Sequence, residues 1–588
     1  MIDPFSQITD LITQICSDLY GDSIKDCSPV IVDQIQERFR DRFNVTTNIA
    51  MIIAKHLKVN PSNIAQSIVD KISDSRIVEY CEVVGAGFIN MKILHAFWSS
   101  VLLDIVHNGA SYGFDDIGHG ERVNVEFVST NPTGPMHIGH TRGAIYGDVI
   151  ARVFAKNGFN VTREYYINDA GAQIDSLVKS ALFRYEQALS NNDDVCDTRV
   201  PDGLYPGEYL IPVGKKIKDQ YGDSLLKMNY KDQYERTKNI VVEMMMDLIR
   251  TDLLRLGVSH DVFTSESDIC SDGDVDEAFK ILNDKNLIFR GILDVPKGKK
   301  VDDWEPQEQE LFKSTSFGDD ADRPLRKSDG TWTYFAPDIG YHYNKYKRGF
   351  CKMVLVLGAD HKGYAKRISA AVDAISDGNA SIDVKLCELV SFIRNGEVVK
   401  MSKRSGNFVT VDDILSEVDK DIIRFMMMTR QNDTTLQFDL VKVKEQSAQN
   451  PIFYVQYAHS RCCSIIRKAE SIFGLDVVDI MDINVDLLKG VMQNREKANI
   501  VIKLALYPRV MRTVINRCEP HILSYYLLEL VSMFHGLWNA GNIDHLSKLI
   551  IENDVNATRA NLVFIVAVKS VIASVLDLFG ILAMERME

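Results

Sequence analysis

Two short stretches carry residue types suited to handling a polyphosphate. The first runs from Asn131 to His140, N-P-T-G-P-M-H-I-G-H. His137 and His140 stand three apart, with Gly139 between them offering no side chain to block a flat ligand. The second is Lys400 to Arg404, K-M-S-K-R, followed by Ser405, Gly406 and Asn407. Its three cations within five residues, beside Ser402, could clamp an anion. Each stretch alone has a plain reading. Two histidines at a helix terminus can be satisfied structural groups, and a basic loop is commonly a solvated turn. Together, in this order and setting, they point to nucleotide chemistry.

The surrounding elements must present these groups. Arg122 to Ser129 alternates apolar and polar residues, which predicts a strand over 122–129. Ile145, Val149 and Val153 recur at helical spacing, which predicts a helix from about His140 to Asn157, stopped by Gly158. Strand, short loop and helix N-terminus form a ready anion site, because unpaired N–H groups and the helix dipole favour negative charge there. Lys400–Arg404 follows a strand-like run and precedes T-V-D-D from Thr410, a capping box opening another helix.

Further strands are expected at 161–167, 352–357 and 386–393, alternating with helical runs as a doubly wound parallel sheet requires. The 190–235 stretch is polar and rich in Gly, Pro and Asp, as in an insertion or surface excursion, and the charge runs of 297–330 read as solvated faces. Residues 1–115 read as a small α/β domain, with an apolar helical face at Phe5, Ile8, Ile12, Ile15 and Leu19 and a strand at Phe88 to Ile93. From 441 to 588 strand signals thin out and amphipathic helices follow, opening at Asn450-Pro451. The expected architecture is therefore multidomain: a small α/β domain (1–115), a Rossmann-like doubly wound α/β domain (116–440) and an all-α domain (441–588).

Composition narrows the class. With 588 residues, 46% hydrophobic and 25% charged, the chain reads as an ordinary globular protein of several domains. A net charge of −14 does not advertise a nucleic-acid partner, although local basic patches could still bind one. The ten cysteines include no C-x-x-C pair and no zinc spacing, so reduced thiols in a cytoplasm are expected and zinc is not. The first ten residues lack a basic n-region and an apolar core, so no export signal is expected there, and the apolar stretch Asn561 to Met584, broken by Lys569 and Asp577, reads as a buried helix rather than a membrane span.

The H-I-G-H and K-M-S-K-R sequences resemble the signature motifs of class I aminoacyl-tRNA synthetases. V-E-F-V-S-T-N-P-T-G-P-M-H-I-G-H, Y-I-N-D-A-G-A-Q (166–173), the 317–342 segment, G-A-D-H-K-G-Y (358–364) and N-P-I-F-Y-V-Q-Y-A-H-S-R (450–461) resemble the arginyl member. T-T-N-I-A-M and G-F-I-N-M-K look like that family's extra N-terminal, tRNA-contacting domain, so the resemblance spans essentially the whole chain. It implies a Rossmann-like catalytic domain, an anticodon-binding helical domain, and ATP-dependent activation of L-arginine before transfer to tRNA(Arg). ATP would enter with Mg²⁺, and a monomer away from any membrane is expected. The implied catalytic residues are His137, His140, Lys400 and Lys403. Pro135, Gly139, Met401 and Ser402 would complete the ATP site with them. Tyr334 and Asp338 would hold the guanidinium, and Glu126, Ser129, Asn131, His137 and His361 the amino and carboxylate end. Tyr454, Tyr457 and Arg461 are candidates for tRNA contact, against a competing role in core packing.

Chemistry independently favours a cationic substrate. A planar fork of donors demands a carboxylate. Asp338 follows Pro337 and should sit in a helix's first turn, where it could also serve only the dipole. No obvious room for a large editing insert lies between the motifs, and a charged substrate needs none. One departure is informative. Many arginyl relatives carry a lysine just before H-x-G-H, where this chain has Gly134, so the cation is expected from Lys400 and Lys403. Rival readings are a small-molecule adenylyltransferase, indifferent to tRNA, a silent tRNA-binding paralogue, and a cysteinyl-type sister synthetase, which would want zinc-ligand cysteines.

Overall fold

Five parallel strands form the central sheet of residues 116–445, in the spatial order Ser381–Cys387, Lys352–Gly358, Arg122–Glu126, Asn160–Ile167, Val262–Ser265. The computed structural model describes residues 3–72, 75–190, 200–292, 307–394, 397–398, 409–445, 447, 449–474, 477–541 and 547–587. The chain fills one flank of the Arg122–Glu126 strand first and then crosses to the other. The order therefore reverses between Arg122–Glu126 and Lys352–Gly358, which pair from Lys352 opposite Val123 to Leu355 opposite Glu126. A crevice opens at the carboxyl ends of strands at such a switch point.

Packing explains why the first crossover helix lies so close. Val123, Val125 and Phe127 are fully buried beneath the helix Thr141–Lys156. A Cβ on Gly147 would come within 2.1 Å of the Phe127 ring, so only glycine permits this approach. The helix stops where expected: Gly158 has φ +82°, and a side chain there would strike Asp116.

Two expected strands are corrected. The 122–129 run ends at Glu126, because Val128 (φ 72°) and Ser129 (φ 37°) turn into the left-handed region. A β-branched residue rarely adopts that conformation, and it sits at the mouth of the crevice. The 386–393 run is two strands. Ser381–Cys387 closes the parallel sheet, whereas Val390–Arg394 belongs to a separate three-stranded sheet with Glu397–Val398 and Leu436–Asp439. Alternation passes through Glu388 and Leu389, but tertiary bonding breaks the run there: the Glu388 N–H donates to the Asn432 carbonyl at 2.7 Å. The charged 317–323 stretch is also not wholly solvated. The Asp319 side chain is buried; burial opposes its charge, yet a two-pronged bond from Arg323 and donors from Asp320 and Ser314 hold its carboxyl down at about 2.

Residues 1–115 and 446–588 form the second compact unit. Its N-terminal segment contains the helix Pro4–Tyr20, which buries Phe5, Ile8, Ile12 and Ile15. An antiparallel sheet there orders its strands Val32–Gln34, Val45–Thr47, Phe88–Ile93, Val78–Val84. Its C-terminal segment is helical, with Pro451–Phe473, His521–Gly541 and Val555–Leu578 as the long members. Val555–Leu578 is the one helix among the described residues long and apolar enough to cross a membrane, and 72% of its apolar window is buried within the protein. It packs against Pro451–Phe473 and His95–Asn108, which gives its apolar face a protein partner.

Candidate functional site

A cleft of about 660 Å³ opens at the carboxyl end of the sheet, beside the switch point. The central strand supplies Glu126 and, past its end, Ser129 and Asn131. The neighbouring strand supplies Leu355 and Leu357, and the turn after it His361. The helix Phe335–Lys347 supplies Asp338 in its first turn, with Tyr334 at its N-cap. Six of the seven residues expected to bind arginine thus meet in one cavity. His137 does not line it.

His137 instead stacks on His140, which does line the cleft, with ring centroids 3.7 Å apart. His140 Nδ1 accepts the His137 backbone N–H at 3.3 Å. In the neutral ring the proton is then on Nε2, 3.2 Å from the Thr130 hydroxyl. Gly139 has a local reason to lack a side chain: a Cβ there would lie 2.9 Å from the His137 ring. Pro135 is half-buried in the same loop. Gly134 has φ +152°, and a Cβ there would meet the Tyr209 ring at 2.7 Å. The Tyr209 hydroxyl is fixed by donating to the Thr133 carbonyl at 2.8 Å. A lysine at position 134 would have to displace that ring.

Lys400, Met401, Ser402 and Lys403 lie outside the described residues. Their downstream flank is described. Thr410 bridges to His137, the Ile138 N–H donates to the Val409 carbonyl at 3.2 Å, and the Val411 N–H to the Met136 carbonyl at 3.0 Å. The capping box expected at Thr410 is present, with Asp413 N–H to Thr410 Oγ1 at 3.0 Å and Thr410 N–H to Asp413 Oδ2 at 2.8 Å. The described residues that follow Lys400–Arg404 in sequence, Val409–Val411, are therefore bonded directly to the histidine turn.

The cleft is acidic where the arginine reading needs it. Burial pushes the Asp338 carboxyl up to about 8, reinforced by the charges of Glu266 and Glu126 and opposed by the Tyr364 hydroxyl and Arg367. Glu266 was missed by sequence reasoning. It accepts from the Tyr166 hydroxyl at 3.2 Å, and burial raises its carboxyl too. Tyr334 is 74% exposed at the rim, and its hydroxyl accepts from Arg367 at 3.1 Å. Asn131 donates to Gln173 Oε1 at 2.8 Å. Tyr341, His342, Tyr364 and Arg367 also line it; the first three fall in the 317–342 and 358–364 segments quoted for the resemblance, and helical spacing from Asp338 also points to the first two.

Glu126 is already engaged. Its Oε2 receives Lys345 Nζ at 2.6 Å, and its Oε1 the Ser129 hydroxyl at 3.0 Å. The Lys345 and Glu126 side chains are only 1% and 5% exposed. Lys345→Met should therefore lower stability by about 3–5 kcal/mol, because it strands a buried carboxylate. Urea melts will show the loss, and the double variant Lys345→Met/Glu126→Gln should recover much of it. A single variant that melts like the wild type would show the pair to be dispensable.

Tyr454, Tyr457 and Arg461 come together on the helix Pro451–Phe473, lining a second cavity of about 420 Å³ with His535, Asn539 and Met587. The Arg461 guanidinium lies over the rings of Tyr457 (4.3 Å) and Trp538 (4.4 Å) and bonds the Tyr457 hydroxyl. Tyr457 is 47% exposed, so core packing does not account for it.

Residues 102–466 match the family described as tRNA synthetases class I (R), catalytic domain. Residues 455–587 match the DALR anticodon binding domain, and 6–93 the arginyl tRNA synthetase N terminal domain. The arginine–tRNA ligase of Roseobacter denitrificans is 46% identical over 548 residues, 92% of each chain. That of Ehrlichia chaffeensis is 46% identical over 541 residues, again 92% of each. The crystal structure of arginyl-tRNA synthetase from Plasmodium falciparum shares the fold, with a TM-score of 0.73 at 17% identity over 100% of both chains.

Proposed function

The chain belongs to the arginyl-tRNA synthetase family, and we propose that its acidic cleft holds arginine while the histidine turn and the Lys400–Arg404 loop hold ATP. The protein is a class I arginine–tRNA ligase. It activates L-arginine with ATP to arginyl-adenylate, releasing pyrophosphate, and transfers the arginyl group to the 3′ end of tRNA(Arg), releasing AMP.

The observation that carries the site assignment is Asp338, a carboxyl at the start of a helix, facing a cleft that also holds Glu126 and Tyr334. A guanidinium offers the planar fork that such a carboxylate matches. Tyr334 and Glu266 flank it, and Ser129, Asn131, Glu126 and His361 orient the α-carbon end. With its ammonium held, the carboxylate is aimed at the α-phosphate. No covalent protein intermediate is needed; the residues act by positioning and by stabilising developing negative charge.

His140, its Nε2–H shared with the Thr130 hydroxyl in the unliganded cleft, and the N-terminus of Thr141–Lys156 with its backbone donors face the phosphates. His137 supports the ring of His140 by stacking, and Pro135 and Gly139 shape the turn. Lys400 and Lys403 grip the pyrophosphate, with Met401 and Ser402 in the same loop. The bridge between Thr410 and His137 supports this convergence, and the crowding at Gly134 supports the loop as the source of the cation. Mg²⁺ arrives with the triphosphate as part of that substrate.

We assign residues 1–115 to additional tRNA contact, 116–440 to catalysis and 441–588 to the anticodon. In the last, the aromatic cavity with Arg461 at its wall suits a base drawn out of its stack. Tyr457→Ala should raise the KM for tRNA about 5- to 100-fold and leave arginine and ATP constants unaltered. Charging assays with varied tRNA concentration decide it, and an unchanged tRNA KM removes the assignment. A cytoplasmic monomer completes the reading; free thiols suit that compartment, and sedimentation over a range of concentrations tests the assembly. The defining experiment for the whole is ATP–pyrophosphate exchange against all twenty amino acids, with and without tRNA, in which arginine alone should support exchange.

A further inference from the structure

The helix that carries Asp338 lines the same cleft with a second polar side chain. His342 lies four residues further along, on the same helix face. It lines the cleft with 1% of its surface exposed. Its Nδ1 is 2.9 Å from the main-chain carbonyl of Asp338. That oxygen can only accept, so Nδ1 carries the proton and Nε2 keeps its lone pair. Burial, with the charge of Lys345 nearby, keeps the ring neutral by holding its pKa down at about 3. Among the described residues, Nε2 has no hydrogen-bond partner. A buried acceptor without a donor is unfavourable, and a ligand that brings an N–H relieves it.

We propose that His342 Nε2 accepts an N–H of the substrate's guanidinium, which makes this histidine a specificity-determining residue for arginine. The inference rests on Asp338 and Tyr334 holding that group. A guanidinium has five N–H donors in one plane, and a carboxylate fork takes two of them. A neutral acceptor one helical turn from Asp338 takes a third without adding charge. Phosphate is excluded as the ligand, since an ionised phosphate offers acceptors to an atom that itself only accepts. The α-ammonium is the less suitable donor, because Glu126 serves that end in the cleft.

The test separates binding from folding. His342→Leu should raise the KM for arginine about 5- to 100-fold, with kcat and the KM for ATP within about twofold of wild type. His342→Gln places an amide oxygen near the Nε2 position, whereas His342→Asn reaches only as far as Nδ1. The Gln variant should therefore bind arginine at least about fivefold better than the Asn variant. An unchanged arginine KM in His342→Leu overturns the proposal, as does equal arginine KM in the Gln and Asn variants. The Gln and Asn comparison also decides the matter should the Leu variant fail to fold. Asp338→Asn, assayed alongside, distinguishes the two levels. If it loses arginine affinity while His342 variants do not, only this inference fails; if it too keeps wild-type affinity, the cleft assignment fails.

Discussion

Asp338→Asn will lower kcat/KM for arginine about 10³-fold and leave the KM for ATP within about twofold. The guanidinium would then be desolvated against an amide that can neither ionise nor accept two parallel N–H bonds. The same carboxyl gives wild-type protein a diagnostic pH dependence. In the unliganded cleft, burial and the charges of Glu266 and Glu126 push it up to about 8, while the Tyr364 hydroxyl and Arg367 favour its anion. Bound arginine favours the anion more strongly, so binding below pH 8 expels a proton. The KM for arginine should fall up to about tenfold per unit as pH rises from 6 to 8, then level off. Calorimetry in buffers of different ionisation heat should report release of about 0.9 proton per arginine at pH 7 in the wild type and none in the variant.

The stability effect has the opposite sign. The folded pKa of Asp338 lies above the ordinary carboxylate value, so between about pH 4 and pH 8 the folded state holds more protons than the unfolded chain. Its contribution to stability therefore declines as pH rises through that window. Asp338→Asn should melt above wild type at pH 8.5 and level with it below about pH 4. A variant whose arginine KM moves less than about tenfold, with a flat wild-type pH profile, would place the guanidinium elsewhere.

His140→Ala and Lys403→Ala should each reduce kcat for arginine-dependent pyrophosphate exchange about 10²- to 10³-fold, measured with tRNA present, with little change in the arginine KM. Both groups are assigned to charge that develops on the phosphates during adenylate formation. Their loss should weaken the transition state more than the ground state. His137→Ala is the informative companion. Its ring stacks on His140 and does not line the cleft, so its removal should act by loosening His140 and be partly offset in His137→Phe, which restores a flat ring. Near wild-type exchange in both His140→Ala and Lys403→Ala would detach the two motifs from ATP.

Much of this site was legible in the residues themselves. Helical period and caps marked Thr141–Lys156 and the Thr410 capping box, because those signals are local and the backbone must satisfy its own termini. The order H-x-G-H, then the Tyr334 to Asp338 segment, then K-M-S-K-R was enough for the family and the reaction, since chemistry of this kind is written in residue types at short spacings. What the linear chain could not express was pairing at a distance. The split of 386–393 into strands of two sheets depends on Asn432, and the left-handed turn at Val128 and Ser129 overrides an alternating pattern. Glu266, His342 and Lys345 are ordinary polar residues in sequence. They gain their meaning only when the fold sets a carboxyl beside Tyr166, the walls of the cleft around the His342 imidazole, and an ammonium on Glu126. Burial is the physical reason: the dielectric around a group, and so its charge state and its need for a partner, comes largely from neighbours distant in sequence that only the tertiary structure brings near.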